Sequence, residues 1–466
     1  MSDLLLAFYG DDFTGSTDVL ESLSLNGVPT VLFLESPDPE DLERFDEVRA
    51  VGIAGTSRSM TPDEMGEELP AAFEALRAFD AEIVQYKVCS TFDSAPDTGS
   101  IGRAIDIGQE VFGSPFVPVV VAAPSLEPRG RYVLFGNLFA TLEGTTYRLD
   151  RHPTMSQHPV TPMTEADLTE HLSEQTDREI GLLDVRSVDG NADAALRDDL
   201  ETVVADNEIV FFDGLNRDHQ RKVGRLIWEY CERDGRADPL FSAASSGLNY
   251  ALSRHWQDTG VVSVPEAPES AGPVDQIVVM SGSASPVNRD QIDWALENGF
   301  EGVRLDTRRL VDPDEAEDAR EEAIDAALTA IDDGASSLLY SARGPDDPAI
   351  ERTNQRLREL DVDGERLGAL LGTQQGEITR AILEATAVDR VCVAGGDTSG
   401  HVAPHLDVFA LEFLVPVGPG SPLCRAASRT QAFDGLEIAL KGGQVQTTND
   451  EADFFGAVRA GGVPPE

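Results

Sequence analysis

Residues 4–16 read LLLAFYGDDFTGS and contain the pattern that decides the fold. Six apolar residues form a predicted strand that ends in the turn Gly10-Asp11-Asp12, and a helix is predicted from about Thr14 to Asn26. A buried strand that leads through a turn into a helix is the repeating unit of a parallel sheet.

The same unit recurs through the first half of the chain. The segment Thr61-Pro62-Asp63-Glu64 carries the clearest helix start, with a threonine N-cap, proline in the first helical position and a capping-box glutamate. Because apolar strands alternate with helices, we predict a mostly parallel sheet that helices cover on both faces. Further strands are predicted at 30–34, 48–54, 82–87, 116–122, 179–184 and 208–213.

A second alternating series follows the stretch 260–273, whose proline, serine and acidic residues indicate a linker. We therefore predict an α/β fold with two domains, 1–260 and 261–466, each a mostly parallel sheet covered by helices, with a cleft between them. In this series, strands are predicted at 276–280, 302–305, 337–340 and 390–394, and helices near 288–298, 314–332 and 365–387.

The charge balance is extreme. The 466 residues include 84 acidic and 36 basic ones, a formal net charge of -48, and the acids are spread along the chain. Such a surface stays dissolved where concentrated salt screens its self-repulsion, so we interpret it as halophilic adaptation. It argues against nucleic acid and anionic membranes as partners, since both require a basic face. Only three basic residues are lysines: Lys87, Lys222 and Lys441.

The sequence also bears on the cellular compartment. No apolar run approaches the roughly 20 residues that span a bilayer, and the start Met1-Ser2-Asp3 lacks the basic segment of a signal peptide. The four cysteines form no C-x-x-C pair, so neither a disulfide framework nor a structural zinc site is predicted. A cytoplasmic protein is expected.

Polar residues gather where predicted strands end. In open parallel sheets, ligands bind beyond the carboxyl ends of the strands, where helix N-termini and loop amides converge. We therefore expect the functional residues in five turns: 10–16, 87–94, 213–214, 281–285 and 395–400.

In the first domain the candidates are charged. Asp11 and Asp12 could form an ordinary turn and helix cap, but adjacent carboxylates after an apolar strand are costly without a partner or ligand. A carboxylate there can accept the proton of a substrate hydroxyl. Lys87 is either a solvated strand end or a fixed positive charge for a carboxylate or a phosphoryl group. Partners that suit a polyol follow in the same turn: Ser90, Thr91, Asp93 and Ser94.

In the second domain the turn Gly395-Gly396-Asp397-Thr398-Ser399-Gly400 ends a strand and opens a helix. Glycines let the backbone approach a phosphate and the helix N-terminus favours negative charge, although a structural tight turn is the alternative. It is not a Walker A loop, and the first turn lacks a G-x-G-x-x-G. His401 and His405 have helical spacing, but Pro404 and the lack of a third ligand argue against a metal site.

Together these segments resemble the four-carbon acid sugar kinase family. Gly10-Asp11-Asp12-Phe13-Thr14-Gly15 is similar to the family's A-D-D-x-T-G, and His158-Pro159-Val160-Thr161-Pro162-Met163 is similar to its H-P-V-T-P-M. Ser245-Ser246-Gly247-Leu248, Gly395 to Gly400 and Leu440-Lys441-Gly442-Gly443 occupy the positions of later motifs. The resemblance spans nearly the whole chain and keeps the motif order.

The resemblance implies ATP-dependent phosphorylation of the terminal hydroxyl of a small sugar acid, such as a 3-oxo-tetronate, threonate or erythronate, with ATP expected to bind with Mg²⁺. Asp12 is expected to receive the hydroxyl proton, with Asp11 or Asp93 as alternatives, and Lys87 to balance charge. The resemblance implies that the N-terminal domain binds the sugar acid, through Asp11, Thr14, Gly15, Ser90, Thr91 and Asp93. It implies that the C-terminal domain binds the nucleotide, through Ser283, Gly395, Gly396, Asp397, Thr398, Ser399, Gly400 and Gly442.

The chain also departs from the family pattern. Many members read K-V-D-S-T-x-R-G, whereas Cys89 replaces the aspartate here and the arginine is Asp93 or is displaced to Arg103. These changes favour a related substrate, such as a branched or oxo sugar acid. The alternatives are a non-catalytic nucleotide or sugar-acid sensor, and a sugar-acid dehydrogenase, which the missing glycine motif disfavours. The expected partners are a sugar acid and ATP, with a homodimer as one possible assembly.

Overall fold

The computed structural model describes residues 4–126, 129–142, 144–158, 160–190, 193–232, 238–443, 445 and 453–462. The chain divides into two units, Met1–Pro265 and Glu266–Glu466. Within the described ranges, no helix has the length and apolar character that crossing a bilayer would need.

The first unit alternates strands and helices. Its strands are β1 (Leu6–Gly10), β2 (Thr30–Phe33), β3 (Ala50–Ala54), β4 (Ile83–Lys87), β5 (Val117–Val120), β6 (Arg131–Leu134), β7 (Asn137–Leu142), β8 (Thr145–Arg148), β9 (Ile180–Leu183), β10 (Ile209–Phe212) and β11 (Leu240–Ala244). Its helices are α1 (Phe13–Leu25), α2 (Pro62–Arg77), α3 (Ile101–Phe112), α4 (Leu168–Ser173), α5 (Val185–Gly190), α6 (Asp193–Asp206), α7 (Arg217–Glu232) and α8 (Ser246–Thr259).

Eight strands of this unit form a parallel sheet in the order β2-β3-β1-β4-β11-β5-β10-β9. Every residue of β1 and β4 is buried, and α1 and α2 both pack against β1. The register pairs Gly10 with Ala54 of β3 and with Lys87 of β4. The turns that follow these three strands therefore begin side by side at one edge of the sheet.

A second, antiparallel sheet contains β6, β7 and β8, where the sequence analysis predicted no strand. Bridges from Ala123 to Arg131 and from Val133 to Gly214 attach it to the segments that follow β5 and β10. Its strands are short and partly exposed, so they lack the apolar runs by which the parallel strands were predicted.

Asp213 fixes the turn between β6 and β7. Its carboxylate accepts hydrogen bonds from the amides of Phe135 (2.6 Å), Gly136 (3.0 Å) and Val185 (2.8 Å). Burial raises the pKa of Asp213, and these three amides oppose that shift. The polar turn predicted at 213–214 thus has a structural role that joins β10, the antiparallel sheet and α5.

The second unit contains a mixed sheet. Its strands are β12 (Val278–Ser281), β13 (Phe300–Arg304), β14 (Ser336–Tyr340), β15 (Arg390–Ala394), β16 (Val408–Gly418), β17 (Ser421–Ser428) and β18 (Glu437–Lys441). They lie in the order β13-β14-β12-β15-β18-β17-β16. Its helices are α9 (Pro286–Glu297), α10 (Thr307–Leu310), α11 (Ala316–Asp332), α12 (Pro348–Glu359), α13 (Leu367–Ala385), α14 (Gly396–His405) and α15 (Phe454–Ala460). The pairs among β12, β13, β14, β15 and β18 are parallel, whereas β17 runs antiparallel to both of its neighbours.

The predicted α/β class with mostly parallel sheets is confirmed. The capping box predicted at the start of α2 is also present. The Thr61 hydroxyl accepts a hydrogen bond from the Glu64 amide, and the Glu64 carboxylate accepts one from the Thr61 amide at 2.7 Å. Most predicted strands lie within two residues of the observed ones, because each is a buried apolar run between turns.

Candidate active site

One arginine joins two aspartates at the N-terminus of α1. Asp11 follows β1, and Asp12 caps α1 by accepting a hydrogen bond from the Gly15 amide at 2.7 Å. Arg58 lies in the 3₁₀ turn Ser57–Ser59 that follows β3. It donates to Asp11 from Nε (3.1 Å) and Nη2 (2.6 Å), and to Asp12 from Nη1 (2.8 Å). Both carboxylates are therefore held in a fixed orientation.

The two aspartates differ in their access to solvent. The side chain of Asp11 is 4% exposed, whereas that of Asp12 is 30% exposed. Burial raises the pKa of Asp11 to about 6, although the positive charge of Arg58 opposes this shift. Asp12 is thus the carboxylate of this pair that a substrate can approach.

Lys87 reaches the same helix turn from the end of β4. Its buried ammonium lies 3.7 Å from Oδ2 of Asp18 on α1. A Cβ atom placed on Gly15 would lie 2.5 Å from Oδ1 of Asp12 and 3.1 Å from Nζ of Lys87. The absence of a side chain at Gly15 lets the carboxylate and the ammonium converge there.

The turn after β4 contains a chain of polar contacts. The Thr91 hydroxyl donates to Oδ1 of Asp93 at 2.6 Å and lies 2.9 Å from Sγ of Cys89. Burial would raise the pKa of Asp93, but the charge of Arg58 and the Thr91 hydrogen bond outweigh it, so the pKa is lowered. Burial and Asp93 raise the pKa of Cys89 to about 11, which keeps it a thiol. Asp93 is therefore an ion and Cys89 is not.

The sequence analysis missed Arg58 and a second arginine, Arg131. The charge of Arg58 acts on Asp93, and the charge of Asp93 acts on Arg131. Arg103, one of the two positions considered for the family's arginine, donates to the carbonyl of Pro62 at 3.4 Å. No local motif marks Arg58, because its partners are 46 and 47 residues away in sequence.

The remaining sugar-acid candidates lie in the same two turns. Thr14 and Ser90 are partly exposed, and Ser94 is buried with its hydroxyl 3.0 Å from Nε2 of His171. In the H-P-V-T-P-M segment, Nδ1 of His158 accepts a hydrogen bond from the Thr161 amide at 3.1 Å. Pro159 of that segment and Gln444, which follows Gly443, lie outside the described residues.

In the second unit, two turns approach each other closely. Gly395 precedes α14 with φ +129°, a conformation that favours glycine, and its amide donates to the Lys441 carbonyl at 2.9 Å. A Cβ on Gly282 would lie 1.9 Å from Oγ1 of Thr398. The Ser399 hydroxyl donates to the Gly395 carbonyl at 2.8 Å. The two turns are therefore packed closely against each other.

These turns line a cavity of about 520 Å³ within the second unit, a size typical of small-ligand pockets. It includes five predicted nucleotide residues, Ser283, Gly395, Gly396, Asp397 and Thr398. Its other lining residues are Gly282, Ala284, Gly364, Leu367, Gly368, Leu371, Gln375 and Gly443. Ser399, Gly400 and Gly442 do not line it. No local pattern marks the cavity-lining residues of α13, since helix periodicity does not show which face meets a cavity. They are Leu367, Gly368, Leu371 and Gln375.

The buried Lys441 makes hydrogen bonds near the turns that line the cavity. The ammonium of Lys441 donates to the Gly442 carbonyl (3.2 Å) and to Oδ1 of Asn288 (3.4 Å). The Asn288 amide group in turn donates to the Ser283 carbonyl at 2.8 Å. Burial lowers the pKa of Lys441 to about 8. Lys441 thus connects the Gly442 turn with the Ser283 turn.

The two histidines singled out in the sequence pack against α13. The ring of His401 lies over Gly372 and that of His405 over Gly376. The described residues contain no group of three or more His, Cys, Asp or Glu side chains arranged to hold a metal ion.

Comparisons with known proteins identify the family. Residues 6–252 match a family model described as a sugar-binding N-terminal domain, and residues 278–448 match one described as a nucleotide-binding C-terminal domain. A 3-oxo-isoapionate kinase of Paraburkholderia graminis is 46% identical over 459 residues, which cover 98% of this chain and 94% of the relative. A 3-oxo-tetronate kinase of Pseudomonas fluorescens is 31% identical over 94% of both chains.

Two solved structures share the fold. A Haemophilus influenzae protein superposes with a TM-score of 0.74 at 20% identity, over 97% of this chain and 99% of that chain. A protein of Salmonella typhimurium gives the same TM-score at 24% identity, over 97% and 98%. At such identities the likeness shows the fold alone. With both family models matched in order, the chain belongs to the four-carbon acid sugar kinase family and is a phosphotransferase that acts on an alcohol group of a sugar acid.

Proposed function

We propose that this kinase transfers the terminal phosphoryl group of ATP to the terminal hydroxyl of a small oxo sugar acid. One observation supports this most strongly: Asp12, Arg58 and Lys87 converge over Gly15 in the unit that matches the sugar-binding model. A carboxylate that can accept a proton and cations that can neutralise anionic groups are the parts that phosphoryl transfer requires.

In this proposal Asp12 receives the proton of the substrate hydroxyl. It is more exposed than Asp11, and Arg58 and the Gly15 amide hold its carboxylate in one orientation. Asp11 fixes Arg58 from the buried side. Lys87 balances the charge of the substrate or of the transferring phosphoryl group.

The second unit binds ATP in this proposal. The 520 Å³ cavity opens at the N-terminus of α14, where backbone amides and the helix dipole favour phosphate oxygens. Mg²⁺ usually binds through one or two carboxylates together with substrate phosphates, and the exposed carboxylate of Asp397 at this cavity fits that role. Bound Mg²⁺ would neutralise phosphate charge. With ATP as the donor, the reaction belongs in the cytoplasm.

For the acceptor, we propose 3-oxo-isoapionate or a similar oxo sugar acid ahead of 3-oxo-tetronate, threonate and erythronate. The relative named for 3-oxo-isoapionate is 46% identical to this chain, whereas the relatives named for 3-oxo-tetronate are 28–31% identical. The neutral Cys89, where many members have an aspartate, supports an acceptor that differs from theirs.

A panel of C4–C5 sugar acids that includes these four compounds tests the proposal. In molar KCl with ATP and Mg²⁺, we expect the fastest ADP release with 3-oxo-isoapionate. Binding of ATP and a sugar acid without ADP release would instead favour a sensor, and enhanced NADH fluorescence on mixing would favour a dehydrogenase.

Lys87→Met is the variant that tests the site itself. If Lys87 stabilises charge in the transition state, kcat/KM falls by on the order of 10²–10³. The matched control is Lys222→Met, because Lys222 lies on α7 and contributes to no part of the site. A loss below about threefold, with the fold intact, would remove Lys87 from the mechanism.

A further inference from the structure

Arg131 is a partly buried arginine whose bonding is incomplete. It begins β6, and its Nη1 donates to the backbone carbonyls of Arg129 (2.7 Å), Gly130 (3.3 Å) and Thr141 (3.5 Å). Its Nε is buried and has no hydrogen-bond partner. The guanidinium is therefore fixed on one side and retains an unused donor on the other.

The charge of Arg131 also lacks an ion-pair partner among the described residues. Across the part of the chain that the structure describes, no carboxylate lies within ion-pair distance of it. Most arginines of this acidic chain do pair with a carboxylate, as Arg178 does with Asp106 at 2.7 Å. Burial lowers the pKa of Arg131, which is the effect expected of a cation that lacks an anionic partner. An anion bound there would remove this cost.

The position of Arg131 indicates which anion would bind it. Arg131 pairs with Ala123, which lies just after β5. The ends of β5, β11 and β4 lie side by side at Val120, Ala244 and Lys87. The charge of Asp93, in the turn after Lys87, acts on the guanidinium of Arg131. Arg58 also acts on Asp93, but its three nitrogen atoms are already engaged by Asp11 and Asp12. The thiol of Cys89 supplies no negative charge. Arg131 is thus an arginine near this turn that, unlike Arg58, is not held by a carboxylate.

We propose that Arg131 determines specificity by binding the carboxylate of the sugar acid. This inference rests on the proposed function, because it assigns one group of the same substrate. A planar guanidinium matches the two oxygens of a carboxylate better than an ammonium does. The carbonyls of Arg129, Gly130 and Thr141 orient the guanidinium before the substrate arrives, which lowers the entropic cost of binding.

The three carbonyl contacts alone could give Arg131 a purely structural role. The test therefore compares the sugar acid with its neutral amide, in which the carboxylate charge is absent. For Arg131→Met we expect kcat/KM for the acid to fall on the order of 10²-fold, mainly through KM, while kcat/KM for the amide changes by less than about threefold. Arg131→Lys keeps the charge but not the planar shape, so its kcat/KM for the acid should lie between those of the wild-type protein and Arg131→Met.

The control is Arg254→Met, which removes an exposed arginine of α8 and should change kcat/KM for neither substrate. If Arg131→Met lowers kcat/KM for the acid and for the amide by the same factor, the residue is structural and the inference is overturned. Circular dichroism and thermal unfolding of each variant show whether the fold is retained, and Arg131→Lys serves as the test if the methionine variant fails to fold.

Direct binding of the acid and the amide, measured by calorimetry, separates this inference from the proposed function. If the protein binds the acid but releases no ADP, the kinase proposal is contradicted. The ratio of the binding constants for acid and amide, compared between the wild-type protein and Arg131→Met, still decides the role of Arg131. If the protein phosphorylates the acid and Arg131→Met leaves the acid-to-amide ratio of binding constants unchanged, only this inference is contradicted. A protein that neither binds nor phosphorylates any sugar acid contradicts both.

Discussion

Gly15 shows how much the site depends on one small residue. Its missing side chain leaves the space in which the carboxylate of Asp12 and the ammonium of Lys87 approach the first turn of α1. A methyl group there would come within 2.5 Å of Oδ1 of Asp12. Since that oxygen also accepts a hydrogen bond from the Gly15 amide, the helix cap and the carboxylate proposed to receive the proton would be displaced together.

We therefore predict that Gly15→Ala lowers kcat/KM by at least about tenfold, because misplacing a reacting group by a fraction of an ångström is costly. The thermal midpoint should change little, so that the loss of kcat/KM is not explained by unfolding. Gly190→Ala is the matched control, since a Cβ on Gly190 meets no atom within 4 Å. Steady-state kinetics of both variants give the comparison, and equal activities would show that the space at Gly15 is not used.

Asp11 predicts a pH dependence. Its folded pKa of about 6 lies above the ordinary value of 3.8, so the free energy of unfolding gains a contribution that is complete below about pH 4 and is lost as the pH rises through about 6. We expect Asp11→Asn to abolish this part of the pH profile of thermal unfolding. Asp63→Asn, at an exposed position of α2, should leave the profile unchanged.

The same titration should affect catalysis in the opposite direction. Only ionised Asp11 forms the ion pair that orients Arg58, so kcat/KM of the wild-type protein is expected to fall as the pH drops through about 6. A profile that stays flat between about pH 5 and about pH 8 would show that the Asp11 pair does not control the site.

At the scale of secondary structure, the carboxylate of Asp213 links the β6–β7 turn to α5, because it accepts three amides. Asn in its place presents an amide N–H toward one of these donors. We predict that Asp213→Asn lowers the free energy of unfolding by about 2 kcal/mol and raises KM for the sugar acid, because Arg131 begins β6. Asp238→Asn, which removes an exposed pair with Arg77, is the control. Denaturant unfolding and kinetics measure both effects.

The elements that could be predicted from sequence are those with a local signature. β1, β4 and β15 are buried apolar runs that end in polar turns, so both the strands and the residues at their ends, such as Asp12 and Lys87, were found. The antiparallel sheet was missed because its strands are short and partly exposed. Arg58 was missed because Asp11 and Asp12 are 47 and 46 residues away, and only the folded register of β1 and β3 brings them together. Arg131 was missed because the short, partly exposed strand that it begins has no apolar run.

At the scale of the whole molecule, the net charge of -48 is the dominant property. Repulsion among exposed carboxylates extends over roughly 10 Å at about 0.1 M salt but only roughly 3 Å at about 1 M. Exposed ion pairs such as Arg358–Glu351 offset little of this repulsion. The folded state should therefore depend on screening by salt.

We predict that the thermal midpoint rises markedly as KCl increases from about 0.1 M to about 3 M. Choline chloride at equal ionic strength is the control, because screening predicts a rise with either cation. A midpoint that is constant or falls with salt would contradict the halophilic interpretation, and a rise with KCl alone would indicate specific K⁺ binding instead.

The three lysines have a practical consequence. Lys87 and Lys441 are 2% and 1% exposed, whereas the side chain of Lys222 on α7 is 20% exposed. An amine-reactive ester should thus acylate essentially one side chain of the folded protein. A fluorophore or a solid support could be attached there without touching either group of residues assigned to sugar acid and nucleotide.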